Sequence, residues 1–445
     1  MHFGLPNVGD KIIQYCTHGF IRTIIVAIWS TDKYVAGKTA EQIYIGLDIG
    51  STKVCCIVGL HEEGAALPSV IGVGVAPTSG MRKGVVVDVE ETVSAITAAV
   101  DEAERISGIA IDQATISIDG AHVSSQNSKG VIAVGRADQE IMVEDLMRVE
   151  EAATAIQLPP NREIIQVFPR SYSVDGQTNI KDPVGMHGVR LEVESHIISG
   201  SVPAIKNLDR SIHQAGIAIS GQILVPLAAA RAVLTKRQKE LGVALVDIGA
   251  GTTGIAIYEE GDILYSSVIP VGAGHITNDL AIGLKTSVDT AEKIKLKYVR
   301  ARTNKANLAE KIRIEELDGD DNVITRRELQ NIAGARLEEI FHLVRVELRK
   351  VGKDVMLPGG VVLTGGGAKM QGIEDMAKEA LQLPVIVGKP EGFTGIVDRI
   401  NDPAFAAPVG LMLENMAQAQ MAPDAGASIG QTVDRIKKTL RNLLP

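Results

Sequence analysis

The sequence predicts an α/β protein made of two duplicated lobes, because one motif occurs twice at long range. Asp48-Ile49-Gly50 lies between two apolar runs, and Asp247-Ile248-Gly249, 199 positions later, lies between two others. Strand, glycine turn and second strand is the pattern of a hairpin. A third glycine turn, at 365–367, follows the apolar run 361–363. The long spacing between the hairpins indicates duplicated lobes rather than a short repeat.

The first hairpin opens the predicted structure. Its strands are residues 43–49 and 54–59, joined by a tight turn at 50–52. Residues 89–107 then show the spacing of apolar side chains that is typical of a helix with one buried face. These elements form the beginning of the first lobe.

The segment between the two hairpins predicts an insertion of mixed structure. Residues 140–156 have helical periodicity, whereas 164–174 and 189–199 have the pattern of extended chain. Long strands next to a helix favour a mixed α+β insertion.

The second half begins with the second hairpin, whose strands are residues 243–248 and 254–258. Residues 288–302 and 325–351 are charged and periodic, which predicts helices with a solvated face. The third glycine turn leads into a further helix at 372–381.

Composition excludes several classes of protein. The chain has 445 residues, of which 45% are hydrophobic and 22% charged, so it is long enough for about three compact units. Aromatic residues are 3% of the chain and the net charge is −9. A protein that stacks bases on aromatic rings or binds phosphate backbones with a basic surface is therefore excluded, and no nucleic-acid partner is expected.

The glycine turns predict a phosphate site. Backbone N–H groups bind phosphate well where no side chain blocks the approach, and a carboxylate at a strand end can hold hydrated magnesium. A single turn of this kind is usually only a turn, but three in this order favour a nucleotide site that lacks the P-loop pattern. Asp48 and Asp247 are the predicted magnesium residues, acting through water. The predicted binding residues are Asp48, Gly50, Ser51, Thr52, Lys53, Asp247, Gly249, Gly251, Thr252, Thr253, Gly365, Gly366 and Gly367.

These motifs resemble a known superfamily. Segments 46–54, 246–253 and 363–369 look like the phosphate-1, phosphate-2 and adenosine motifs of actin, heat-shock chaperones and sugar kinases. Together with 268–274 and 401–406, the first segment is similar to the FtsA family of bacterial cell-division proteins. The resemblance implies an α/β, two-lobed actin-like ATPase fold, with duplicated ribonuclease-H-like domains, an inserted α+β subdomain in the first lobe, and ATP with magnesium in the cleft.

The resemblance and the composition together divide the chain into parts. We expect a poorly ordered extension at 1–40, ranked above a signal peptide because a long polar lead precedes its apolar run. The remaining predicted parts are the first lobe at 41–119 and 200–240, the inserted subdomain at 120–199, the second lobe at 241–272 and 341–400, its small subdomain at 273–340, a return helix at 401–417, a linker at 418–428 and an amphipathic helix at 429–445.

Two further interpretations concern the nucleotide pocket. The resemblance implies that Glu292 and Lys295 complete its adenosine side, whereas an exposed helix with i,i+3 charge pairing is an equal alternative. The active ATPases and kinases of the superfamily often carry an acid or amide at the first connecting helix, which orients the attacking water or hydroxyl. This chain has Val225 at that position, and Gln222 is nearby but not aligned with it. We therefore expect slow hydrolysis or none.

The segment 429–444 predicts a membrane-binding helix. At about 100° per residue its apolar side chains cover an arc of about 100°. Four basic residues against Asp434 give a local charge of +3 on a chain of −9, which favours an anionic lipid surface over packing on the protein's own domain. The apolar residues are Ile429, Val433, Ile436, Leu440, Leu443 and Leu444, and the basic residues are Arg435, Lys437, Lys438 and Arg441.

The function that follows is an ATP-binding adaptor of cell division. The resemblance implies that such a protein tethers FtsZ filaments to the inner face of the cytoplasmic membrane and self-associates as a homo-oligomer or filament. It places the FtsZ contact on the small subdomain and self-association on the inserted one. The alternatives are a pilus-assembly binding module and a kinase or chaperone-type ATPase of the same superfamily.

Overall fold

The computed structural model describes residues 42–302, 308–313 and 323–421. The predicted extension at 1–40, the last part of the linker at 422–428 and the predicted membrane helix at 429–445 lie outside the described residues.

The first lobe is built on a six-stranded sheet in the order β11-β6-β1-β2-β3-β19. Its first three strands form an antiparallel meander, and β6 pairs in parallel with β1. A short hairpin follows the meander. The strands of the sheet are β1 (Gln42–Ile49), β2 (Lys53–His61), β3 (Ser69–Pro77), β6 (Gln113–Ile118), β11 (Ala218–Leu224) and β19 (Thr394–Gly395). The short hairpin consists of β4 (Met81–Arg82) and β5 (Val85–Val86).

Helix α1 (Val89–Ser107) covers one face of this sheet. The Asp88 carboxylate accepts a hydrogen bond from Glu91 N at 3.1 Å, and Gly108 ends the helix with a φ of 72°. A side chain at Gly74 in β3 would place its Cβ 1.8 Å from Ala99 O. Glycine at this position therefore allows the helix to pack directly on the strand.

The inserted subdomain is a four-stranded antiparallel sheet in the order β7-β10-β8-β9, with one helix on it. It has a small core of its own, in which Val149 and Ala153 of the helix contact Leu191 and Val193 of the sheet. Its elements are β7 (Ser124–Ala133), α2 (Val143–Thr154), β8 (Arg162–Val174), β9 (Gln177–Ile180) and β10 (Arg190–Ser201).

The chain then returns to the first lobe and crosses to the second. Helix α3 (Val202–Gln214) precedes β11, and α4 (Val225–Val233) and α5 (Lys236–Leu241) follow it. Helix α4 lies between the lobes, because a Cβ on Gly254 in the second lobe would lie 3.0 Å from Pro226. One hydrophobic core extends from the first sheet through α4 to Leu245.

The second lobe has a five-stranded sheet in the order β14-β13-β12-β17-β18. Its strands are β12 (Val243–Ile248), β13 (Thr253–Glu259), β14 (Asp262–Ile269), β17 (Val361–Thr364) and β18 (Val385–Val387). Packed on it or next to it are α6 (Gly274–Gly283), α7 (Val288–Tyr298), α8 (Arg326–Lys350) and α9 (Ile373–Leu381), with the small hairpin β15 (Lys311–Arg313) and β16 (Val323–Thr325).

Three predicted boundaries do not coincide with the ends of the observed elements. The boundary between the small subdomain and the second lobe at 340/341 falls inside α8, whose Leu337, Ile340 and Val344 belong to one core. The chain re-enters the first lobe before residue 401, because β19 pairs with β3 at Thr394 and Ser69. The last described helix, α11 (Ala406–Met421), includes the first four residues assigned to the linker.

Helix α11 and the short helix α10 (Val397–Ile400) complete the first lobe. A Cβ on Gly46 of β1 would lie 2.4 Å from Pro408 O, and one on Gly410 would lie 1.7 Å from Ala228 O. The glycines thus let α11 contact β1 and α4 closely. Among the described residues, no helix has the length and apolar character required to span a bilayer.

Candidate functional site

The two predicted hairpins form with their turns as expected. Gly50 N donates to Lys53 O at 3.0 Å, and Gly249 N donates to Thr252 O at 2.9 Å. Asp48 lies next to the end of β1, and Asp247 lies at the equivalent position of β12. Each lobe therefore presents one carboxylate beside one glycine turn.

The two turns face each other across the boundary between the lobes. A Cβ on Gly251 would lie 2.5 Å from Ser51 Oγ and 3.0 Å from the Lys83 backbone nitrogen. Ser51 Oγ also accepts a hydrogen bond from Gly84 N at 3.2 Å. Only a residue without a side chain fits at this contact, so the sequence difference between the turns, Ser51 against Gly251, permits the lobes to approach.

The third glycine turn joins the same place. Parallel pairing sets Asp247 opposite Thr364, so the following Gly365 lies beside the carboxylate. Gly365 has a φ of 82°, and its Cβ would lie 2.1 Å from Asp247 Oδ1. Gly367 packs on Ile248, whereas Gly366 is exposed. The structure thus brings Asp48, Asp247, Ser51, Gly251 and Gly365 to one cleft.

A third carboxylate, Asp119, lies in this cleft and was missed in the sequence. It directly follows β6, which pairs in parallel with β1, so the two strands end at the same edge of the sheet. The Thr252 hydroxyl of the second lobe donates to Asp119 Oδ2. An apolar strand that ends in Asp-Gly, here Asp119-Gly120, is a local signal for it, but that signal alone does not distinguish Asp119 from other acids at turns.

Burial raises the pKa values of all three carboxyl groups. The pKa of Asp48 is raised by burial, against a hydrogen bond from Ser117 and the charge of Lys53. Burial raises the pKa of Asp119 to about 6, opposed by the hydrogen bond from Thr252, and Asp48 adds repulsion. The pKa of Asp247 rises to about 7, first through burial and then through Asp48 and Asp119. Such mutual repulsion is relieved by a bound cation.

Lys53 is positioned by residues 404 and 405, at the start of the predicted return helix. Its ammonium group donates to Ala404 O at 3.0 Å and lies 4.4 Å from the centre of the Phe405 ring. Asp402, next to these residues, pairs with Lys369 of the third turn. The segment similar to FtsA at 401–406 therefore connects the first and third turns.

The hydroxyl groups differ in how they are used. Ser51 and Thr252 lie at the contact between the turns, as described above. The Thr253 hydroxyl is buried and donates to Val271 O at 2.7 Å, so it joins the start of β13 to the segment after β14. Thr52 is exposed, and its carbonyl accepts from Thr78 N at 3.1 Å.

Glu292 and Lys295 form the i,i+3 pair of the alternative interpretation, at 2.7 Å. The pair is not simply a solvated face, because Lys295 is 11% exposed and donates to Thr277 Oγ1 at 2.9 Å. Its ammonium group also reaches Ala273 O at 3.5 Å, beside the turn of the second hairpin. Ala273 N donates to Gly249 O at 2.8 Å. Lys295 therefore lies beside the second turn, and Glu292 is paired with it.

The start of the connecting helix offers no acid or free amide. Val225 is its first residue, and Gln222 Nε2 donates to Asp209 Oδ1 of α3 at 2.8 Å. The Gln222 amide is thus committed to a neighbouring helix.

The donor set fits hydrated magnesium held with a nucleotide. Asp119 Oδ1 is fully buried and has no hydrogen-bond partner, although it lies among other carboxylates. Within residues 42–302, 308–313 and 323–421, no group of three or more His, Cys, Asp or Glu side chains is arranged to bind a metal directly. The carboxylates are therefore arranged for contact through water rather than for a metal bound only by protein.

This fold and this cleft define the class: a two-lobed protein of the actin-like ATPase fold, with an α+β subdomain inserted in the first lobe. The PilM-PilN type IV pilus biogenesis complex shares the fold, with a TM-score of 0.61 and 16% identity over 85% of this chain and 99% of that one. MreB5 of Spiroplasma citri bound to ADP has a TM-score of 0.50 and 15% identity, over 85% and 98%. The predicted fold class is confirmed.

The family follows from sequence comparison. The family model "Cell division protein FtsA" matches residues 244–410, and "SHS2 domain inserted in FTSA" matches residues 120–199. The FtsA of Pseudomonas aeruginosa is 38% identical over 85% of this chain and 90% of its own length, and that of Bacillus subtilis is 41% identical over 84% and 83%. This chain belongs to the FtsA family of cell-division proteins.

Proposed function

We propose that this chain is an ATP- and magnesium-binding adaptor that tethers FtsZ filaments to the inner face of the cytoplasmic membrane. One observation carries the nucleotide part of the proposal: two turns that bear carboxylates, from different lobes, meet at Ser51 and Gly251. A triphosphate bound beside this contact would touch both lobes at once. Membership of the FtsA family supports the division role.

In this proposal the chain's own groups bind and orient the nucleotide. The turn amides that follow Gly50 and Gly249 would donate to the phosphates, and Asp48 and Asp247 would accept hydrogen bonds from water on magnesium. The cation supplies positive charge that offsets the phosphates and the buried carboxylates. Glu292 and Lys295 border the adenosine side.

Slow hydrolysis or none accords with the connecting helix. A fast phosphoryl transfer requires a group that orients the attacking water. Val225 has no polar side chain, and the Gln222 amide already bonds Asp209. The nucleotide then acts mainly to hold the lobes together. A steady-state turnover in the range of kinases, about 1–100 per second, would instead support the kinase or chaperone-type alternative.

The first experiment measures nucleotide binding. Asp48→Ala and Asp247→Ala should each weaken binding of a fluorescent ATP analogue in the presence of magnesium by at least about tenfold, because each removes a carboxylate from the cation. Asp101→Ala, an exposed change on α1, is the control. Unchanged affinity in both cleft variants would place the nucleotide elsewhere.

The second experiment tests the membrane helix, whose residues lie outside the described part of the chain. The +3 charge and the apolar arc of 429–444 support binding to anionic lipid. The full chain should float with phosphatidylglycerol vesicles, and a chain that ends at Ala427 should not. Replacing Leu440 and Leu443 by Ser should also abolish flotation. Equal flotation of the full and shortened chains would remove the anchor.

The third experiment addresses FtsZ. Within the range 273–340, Ile282 and Leu296 are 77% and 75% exposed, which supports a contact on helices α6 and α7. Ile282→Ser and Leu296→Ser should reduce co-sedimentation with FtsZ polymers. Val355→Ser, which lies on the second lobe outside the range 273–340, should not. Full-length protein that never sediments with FtsZ would favour the pilus-type binding module.

Self-association through the inserted subdomain completes the proposal. Val143 and Met147, on the outer side of α2, are 53% and 64% exposed. Sedimentation of full-length protein with ATP and vesicles should show oligomers, and Met147→Ser should reduce them. The same degree of assembly in that variant would assign the contact to another surface.

A further inference from the structure

Asp119 occupies a place where two parts of the protein meet. It ends the strand β6 in the first sheet, and the inserted subdomain begins at the next residue, Gly120. Gly120 has a φ of 116°, and a Cβ on Gly84 would lie 2.6 Å from its nitrogen. This closely packed junction of two glycines at positive φ fixes the backbone that carries the carboxylate.

The side chain is fixed as well. Its Oδ2 atom accepts the hydroxyl of Thr252, a residue 5% exposed in the second lobe. The pair therefore crosses the cleft and orients the second oxygen. That atom, Oδ1, has no partner although it is fully buried. A buried carboxylate oxygen without a donor is unfavourable unless a ligand or water supplies one.

The surroundings identify the kind of donor. Asp48 is close enough to raise the Asp119 pKa by repulsion, and Asp119 has the same effect on Asp247. A phosphate oxygen would add repulsion at Oδ1, whereas a water molecule on a divalent cation donates a hydrogen bond and carries positive charge.

We propose that Asp119 is a third carboxylate of the cleft, whose Oδ1 accepts a hydrogen bond from a water molecule of the hydrated cation that accompanies the nucleotide. Thr252 acts as its positioning residue. The inference rests on the proposed nucleotide function and adds to it a residue that depends on the cation rather than on the nucleotide itself. It also gives Thr252 a role in cation binding instead of direct phosphate binding.

The test compares the affinity for a fluorescent ATP analogue with magnesium and with EDTA. The dissociation constant in EDTA divided by that in magnesium measures the magnesium dependence. Asp119→Asn should reduce this ratio by about tenfold, because an amide N–H₂ or a neutral oxygen replaces the charged acceptor. Its affinity in EDTA should stay equal or improve, since a negative charge near the phosphates is removed. Asp112→Asn, an exposed change just before the start of β6, should alter neither value.

A second pair of variants keeps Asp119 itself. Thr252→Val should reduce the magnesium dependence, and Thr252→Ser should restore it, because serine retains the hydroxyl donor. Thermal melting of each variant checks the fold. If Asp119→Asn and Thr252→Val keep the full magnesium dependence, the inference is wrong while the nucleotide site stands. If the wild-type protein binds no nucleotide, the proposed function itself fails.

Discussion

His196 provides a test of how the inserted subdomain docks on the second lobe. The imidazole is fully buried, with Nδ1 2.7 Å from Asn127 Oδ1 and Nε2 2.9 Å from Ser266 Oγ. Asn127 is in the inserted subdomain and Ser266 is in β14 of the second lobe. Ser125 Oγ, next to this site, donates to Ser266 O at 2.6 Å. The histidine therefore lies inside the contact between the two parts.

The expected loss of stability at low pH follows from the pKa of His196. Burial, and then Arg170, lowers the pKa of His196 from 6.5 to about 4. The unfolded chain thus takes up a proton at a higher pH than the folded one, so this histidine lowers stability as the pH falls below about 6.5 and the effect stops near 4. Between about pH 7.5 and pH 5 the loss amounts to about 2 kcal/mol.

The assay is urea unfolding of the wild type and of His196→Gln at these two pH values. The variant should be less stable near pH 7.5, because it loses hydrogen bonds in the contact, but it should lose about 2 kcal/mol less on acidification. His187→Gln, an exposed change in the same subdomain, should follow the wild type. An equal loss of unfolding free energy on acidification in the wild type and in His196→Gln would refute the reasoning.

Two glycine substitutions complete the set. Gly365→Ala should abolish binding of a fluorescent ATP analogue, because its Cβ would lie 2.1 Å from Asp247 Oδ1 at a φ of 82°; affinity within about twofold of wild type would contradict this. Gly410→Ala should destabilise the fold by at least about 2 kcal/mol in urea unfolding, since its Cβ meets Ala228 O at 1.7 Å. The matched control is Gly334→Ala in α8, where the added Cβ would meet open space. This variant should raise stability by about 0.5–1 kcal/mol. Equal changes of stability at the two positions would show that close packing is not the cause.

Local signals in the sequence were sufficient for the elements that depend on near neighbours. The helix predicted at 89–107 is observed as Val89–Ser107, because Asp88 and Gly108 act as caps at its two ends. The helix predicted at 288–302 ends earlier, at Tyr298, since Val299 is extended and both Val299 and Ala301 pack in the core of the second lobe. Tertiary packing overrode periodicity there.

The residues of the candidate site also differ in whether the sequence could indicate them. Asp48 and Asp247 could be found because each belongs to a hairpin whose strands and turn are contiguous in sequence. Asp119 could not be ranked above other acids, since its role depends on the pairing of β6 with β1 and on Thr252 from the other lobe.

The sequence by itself determined the hairpins, the capped helices and the repeated carboxylate turns, because backbone propensity and local hydrogen bonds act over a few residues. The tertiary structure alone decided which acids share one cleft, where residues 394–395 return to the first sheet, and how His196 is buried between two subdomains. Those contacts join residues far apart in the chain, and their energies depend on burial and on charges that no local segment contains.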